Sequence, residues 1–139
     1  MKHIRHQLAI VAAAVSLAVL AAPAQAEVVV VVGAKSPAAS MTNEQVAQVF
    51  LGKSTSMTPV DQPESEAIRG EFYKKVAGKD AAQAKALWSK LVFTGKASLP
   101  KELAGNAEVK KAVAADPKAI GYIDKSALDA SVKAVLSVP

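Results

Sequence analysis

Cysteine is absent from the 139-residue chain, and its two histidines, His3 and His6, both stand within the first six residues. Everything downstream therefore has neither thiol nor imidazole. That excludes Ser-His-Asp and Cys-His nucleophilic catalysis, zinc held by nitrogen or sulfur, histidine-ligated haem and disulfide bridges. No metal or cofactor is expected. Aromatic residues are scarce as well, with one Trp, two Tyr and three Phe. Lys74, Lys75, Lys79, Lys85, Lys90 and Lys96 thus lack the interleaved stacking platform that single-stranded nucleic acid requires, and no nucleic-acid partner is expected. What survives is carboxylate, hydroxyl and lysine chemistry, and binding.

Long apolar runs are limited to one. "MKHIRH" is a positive start, "LAIVAAAVSLAVLAA" an apolar core and "AQA" at Ala24 to Ala26 a small-residue cleavage site, which together read as a secretory signal over residues 1–26. The apolar run is shorter than the ~20 residues that cross a bilayer. No membrane insertion is expected after cleavage, and no cysteine near the site could carry a lipid. The mature chain would begin at Glu27 as a free, secreted protein, and a product of that kind fits the periplasm. Removing Lys2 and Arg5 leaves 15 basic residues against 12 acidic ones, a net charge of +3 that is ordinary for a globular domain.

Residues 27–139 suffice for one domain. "EVVVVVG" at 27–33 is a continuous β-branched run, the pattern of a strand buried on both faces. Thr42 and Gln45 form a capping box, so a helix starts at Asn43, buries Val46, Val49 and Phe50, and closes at Gly52. "TPVD" at 58–61 is a short strand. Pro63 suits a first helical position, Ile68, Phe72 and Val76 share a stripe, and Gly78 ends the run. A third helix spans about Ala81 to Phe93, burying Ala84, Leu87, Leu91 and Trp88. A fourth is capped by Asn106, turns Val109 and Val113 inward and breaks at Asp116–Pro117. Strands at 119–124 and 131–138 enclose a helical turn at 126–129. Strands interleaved with helices predict an α/β layer with a mostly parallel sheet flanked by helices, the last strand being the candidate for antiparallel pairing.

"MTNEQVAQVFLGK", "PVDQPESEAIRGEFY", "LWSKLVFTGK" and "AIGYID" occur in an order that resembles the phosphate-binding proteins of ABC transporters. The chain is most similar to short, single-lobe periplasmic members with the type II periplasmic-binding-protein-like fold, and the resemblance covers nearly all of residues 28–136. It implies one lobe of a clamshell, similar to the second lobe of full-length members with its C-terminal return segment. It also implies a role as a solute-binding protein for inorganic phosphate or a similar oxyanion, partnered by an ABC transporter or by a second protein that completes the cleft. One wall alone offers a wet shelf on which each charge-assisted hydrogen bond counts for less.

The resemblance breaks at its decisive point. Relatives precede the aromatic helix with a Ser-Gly-Thr type turn whose hydroxyls and N–H groups hold the ion. Six residues before Phe72 the serine position is occupied by Glu66, Ser65 falls one residue early, and the threonine position falls on Ile68. A carboxylate about 5 Å from a unit anion costs about 3 kcal/mol at an effective dielectric near 20. The helix dipole returns only about 0.3–1 kcal/mol. Arg69 is the candidate countercharge, although an (i, i+3) pair with Glu66 would neutralise it.

The anion-site candidates are therefore Ser36, Ser65, Glu66, Arg69 and Thr94. Ser36 and Lys35 follow the first strand at the edge where open α/β sheets bind ligands, and Thr94 and Lys96 follow the third helix. Plain structural readings stand beside these: helix capping, with Glu64 and Glu66 favourable to the dipole of a first turn and Ser65 as polar filling, a polar loop for Ser36, and a dipole partner for Lys96. Asp61 is the best lone carboxylate for a functional role, and Tyr122 reads as core with its hydroxyl at the rim. A ligand-free accessory or sensory interaction module is the alternative function. An enzyme is disfavoured, because Asp61, Glu64 and Glu66 form one local acidic cluster without an identifiable distant partner.

Overall fold

A computed structural model of the chain describes residues 27–139, and the expected signal segment at 1–26 lies outside the described residues. Strand β1 (Val28–Gly33) is buried at every position. Because side chains alternate across a strand, Val28, Val30 and Val32 enter one core while Val29 and Val31 enter another. The order continues with α1 (Asn43–Phe50), β2 (Thr58–Asp61), α2 (Ala67–Phe72), a π-helical segment (Tyr73–Ala77) and α3 (Ala81–Phe93). It ends with β3 (Lys101–Glu102), α4 (Asn106–Ala115), β4 (Ala119–Asp124), a 3₁₀ turn (Lys125–Ala127) and β5 (Val132–Val138).

The sheet order is β3-β2-β4-β1-β5. β2 is parallel to β3 and β4, while β1 is antiparallel to β4 and β5. Four strands therefore share one direction, as a mostly parallel sheet requires, but the strand that runs against them is the first rather than the last. β4 and β5, parallel to each other and joined through the short 3₁₀ turn, leave between them the slot that β1 fills. A central strand buried on both faces reads as an unbroken apolar run in either direction, so its sequence carries no sign of its polarity.

α1, α2 and α3 cover one face, around Phe50, Phe72, Tyr73 and Tyr122. Phe72 stacks on Tyr122 at 4.0 Å between centroids, and Phe50 meets Phe72 edge-on at 4.7 Å. α4 covers the other face with Val109 and Val113. The Thr42–Gln45 capping box opens α1 as expected, and an Asp80–Gln83 box opens α3. In α3, Ala84 and Trp88 are buried whereas Leu87 and Leu91 are only half-buried, because the Trp88 indole donates to the Phe50 carbonyl at 2.7 Å and rotates that side of the helix inward.

Two helix starts differ from expectation. α2 begins at Ala67, and Pro63 instead sits in a turn whose carbonyl accepts from the Glu66 N–H at 2.9 Å. Proline's fixed φ serves a turn as well as a first helical turn. Gly105, at φ 87°, holds the cap position of α4, which frees the Asn106 amide to donate to Asp124 Oδ2 at 2.8 Å.

Candidate functional site

β2 ends at Asp61, on the sheet edge where open α/β folds gather ligands. Asp61 and Gln62 are buried, and the carboxylate is enclosed by donors. The Tyr73 hydroxyl donates to Oδ2 at 2.5 Å, the Tyr122 hydroxyl donates to Oδ1, and the Gln62 N–H donates to Oδ1 at 2.9 Å. Gln62 Nε2 in turn donates to the Tyr122 carbonyl at 2.8 Å. The change from α-helical to π-helical winding after Phe72 lets adjacent residues serve different ends: Phe72 stacks in the core and Tyr73 reaches Asp61. Burial, reinforced by the Asp61 charge and hydrogen bond, pushes both tyrosine hydroxyls well above their ordinary value of 10.0.

Arg69 completes the network. Its Nη1 donates to the Gln62 carbonyl and to Glu102 Oε1, each at 2.9 Å, and its Nε lies 3.9 Å from Asp61 Oδ1 with no hydrogen-bond partner. Burial opposes the guanidinium charge, but Asp61 and the Glu102 hydrogen bond outweigh it, so its pKa is raised. The expected Glu66–Arg69 pair is replaced by Asp61 and Glu102, because Arg69 faces inward at 4% exposure while Glu66 stays in solvent at the cap. Tyr122 is core, as expected, but its hydroxyl lies inside the network rather than at the rim.

Two clefts flank this network. The first, about 210 Å³, lies between the starts of α2 (Glu66, Ala67) and α4 (Gly105, Asn106), with Gln62 at its inner end and the carboxylates of Glu71 and Asp124 in its lining. The second, about 230 Å³, is lined by Asp61, Arg69, Lys85, Trp88, Leu99 and Glu102 among others. Glu66 thus faces the first cleft and Arg69 the second, with Ser65 exposed at the turn beside them. Ser36 is buried after β1, where its hydroxyl accepts from the Ala38 N–H at 3.3 Å and its carbonyl accepts from Lys133 Nζ at 2.6 Å. Thr94 is exposed and donates to the Lys90 and Leu91 carbonyls at 3.0 and 3.1 Å, closing the end of α3. Neither Ser36 nor Thr94 lines either cleft.

Sequence reasoning singled out Asp61 and Arg69 but missed Gln62, Lys85 and Glu102. Nothing in the local sequence marks Glu102, whose meeting with Arg69 spans 33 residues.

The architecture is an open five-stranded α/β sheet with helices on both faces. No protein-family model matches the sequence, and no curated protein matches it. Solved structures do share the fold. A protein from Clostridium perfringens, assigned as a phosphate ABC transporter substrate-binding protein and holding bound phosphate, aligns with TM-score 0.63 and 22% identity over 79% of this chain and 45% of its own. An ABC-type phosphate transport receptor from Vibrio cholerae aligns with TM-score 0.62 and 20% identity over 79% of this chain and 46% of its own. The chain therefore spans less than half the length of either structure.

Proposed function

We propose that this chain is a periplasmic solute-binding lobe, not an enzyme, that takes phosphate or a similar small oxyanion weakly at the turn into α2. The observation that carries this reading is that the starts of α2 and α4 open on one cleft at the sheet edge. First-turn N–H groups lack intrahelical partners and favour anions. Two phosphate-associated structures of the same fold point to the same solute class. Working against tight capture are Glu66, Glu71 and Asp124, all in the lining of that cleft. Their repulsion outweighs the dipoles, so affinity on the order of 1 mM is expected. An ABC transporter component or a second protein facing this wall would complete the cleft.

Calorimetry with inorganic phosphate at low salt tests the proposal. Weak heat is expected from the native chain, and Glu66→Ser should tighten binding by roughly tenfold through removal of one like charge. Absence of heat from both proteins would refute solute capture at this turn. The acidic lining favours a second reading, an accessory or sensory interaction module that keeps the lobe without the ligand. That reading would be preferred if Glu66→Ser bound no phosphate while its fold stayed intact.

A further inference from the structure

The second groove has an anion site whose occupant belongs to the chain itself. Arg69 is 4% exposed and carries an Nε without a hydrogen-bond partner, yet the carboxylate it grips, Glu102, has a side chain 55% exposed. Glu102 sits on a strand of only two residues at the edge of the sheet, paired there with Asp61. The cation is fixed by its burial and by the Gln62 carbonyl, whereas the anion is held by one exposed side chain. Because the Glu102 carboxylate stays more than half in water, its release from Arg69 needs little further hydration, unlike that of a buried partner.

We propose that Glu102 is a displaceable internal gate, and that the groove takes a small monocarboxylate with an apolar body. The ligand carboxylate replaces Glu102 on Arg69. Its apolar part lies against Trp88, Leu99 and Pro100, which line the same cavity of about 230 Å³. Lys85 stands at the mouth, 64% exposed and 3.6 Å from Glu64, itself exposed, so it can turn to a ligand at small cost.

Charge balance selects the class. With Glu102 turned out, Arg69 and Lys85 face Asp61 alone among the charged groups lining the groove, leaving one net positive charge. A monoanion neutralises it, whereas a phosphate dianion would meet Asp61 with a charge to spare. Predominantly apolar walls with a few placed polar groups are the usual form of a small-ligand pocket. This site is separate from the α2–α4 cleft and stands or falls independently of phosphate binding there.

Trp88 is the chain's sole tryptophan and lines the groove, so its fluorescence reports occupancy directly. The probe is 3-phenylpropionate, titrated into the native chain, Glu102→Ala and Lys85→Gln, with acetate and inorganic phosphate in parallel. A saturable change is expected with 3-phenylpropionate, about tenfold tighter in Glu102→Ala and several-fold weaker in Lys85→Gln. Acetate, lacking the apolar body, should bind more weakly than the probe. The thermal midpoint of Glu102→Ala should rise with added 3-phenylpropionate by more than that of the native chain, because the ligand replaces the lost partner of Arg69. Should Glu102→Ala fail to fold by circular dichroism, Glu102→Gln keeps the shape without the charge and must still bind more tightly. Equal affinities in native and Glu102-substituted chains, or no saturable response in either, overturn the gate. A saturable Trp88 response to phosphate as strong as that to 3-phenylpropionate overturns the monocarboxylate assignment, and Glu66→Ser should leave the Trp88 response unchanged.

Discussion

At Asp61, one carboxylate organises what three separate stretches of chain contribute. Two buried hydroxyls and a backbone N–H donate to it, so it shapes the turn into α2. Tyr73 and Tyr122 are the only tyrosines in the sequence, and both are held protonated by burial and by Asp61. Their folded pKa values lie above the ordinary 10.0, so the stability they contribute is fully present below that pH and is lost as pH rises beyond it. Ultraviolet titration should therefore show no tyrosinate until the protein unfolds, with both residues then ionising together. A gradual titration of either tyrosine near pH 10.0 in the native state would contradict the network.

Among the elements, α4 packs tightly on β4 at Gly121. A Cβ there would stand 2.6 Å from Val109 Cγ1 and 3.2 Å from Val113 Cγ2. Glycine is thus what lets α4 lie close enough for its first turn to share a cleft with α2. Gly121→Ala should cost about 1–3 kcal/mol by overpacking, read as a lower urea midpoint. Unchanged stability would mean that α4 rides further from the sheet. The same scale shows how local chemistry governs boundaries. Capping boxes reproduce the starts of α1 and α3 closely, whereas the starts of α2 and α4 move because Pro63 serves a turn and Asn106 is drawn to Asp124.

For the molecule as a whole, β1 is the common wall of two cores, with alternate valines in each. Neither face can lose its packing without exposing half of the central strand, so unfolding is expected to be cooperative. Trp88 ties α3 to α1 through the Phe50 carbonyl, which makes it a reporter for the three-helix face. In urea, its fluorescence and the far-ultraviolet circular dichroism should share one midpoint. An earlier fluorescence transition would show that α3 detaches as a separate unit.

The amino-acid sequence alone determined the layered α/β character, the burial of β1 on both faces, most element positions and the chemistry ruled out by missing thiols and imidazoles. Those features follow from side-chain periodicity and capping, which act over a few residues. Only tertiary structure decided that β1 runs against its neighbours, that Tyr122 meets Asp61 across 61 residues and that Glu102 closes on Arg69 across 33. Such pairings depend on which elements the packed core brings side by side, and a local stretch of sequence encodes a side chain's readiness to pair without encoding its partner.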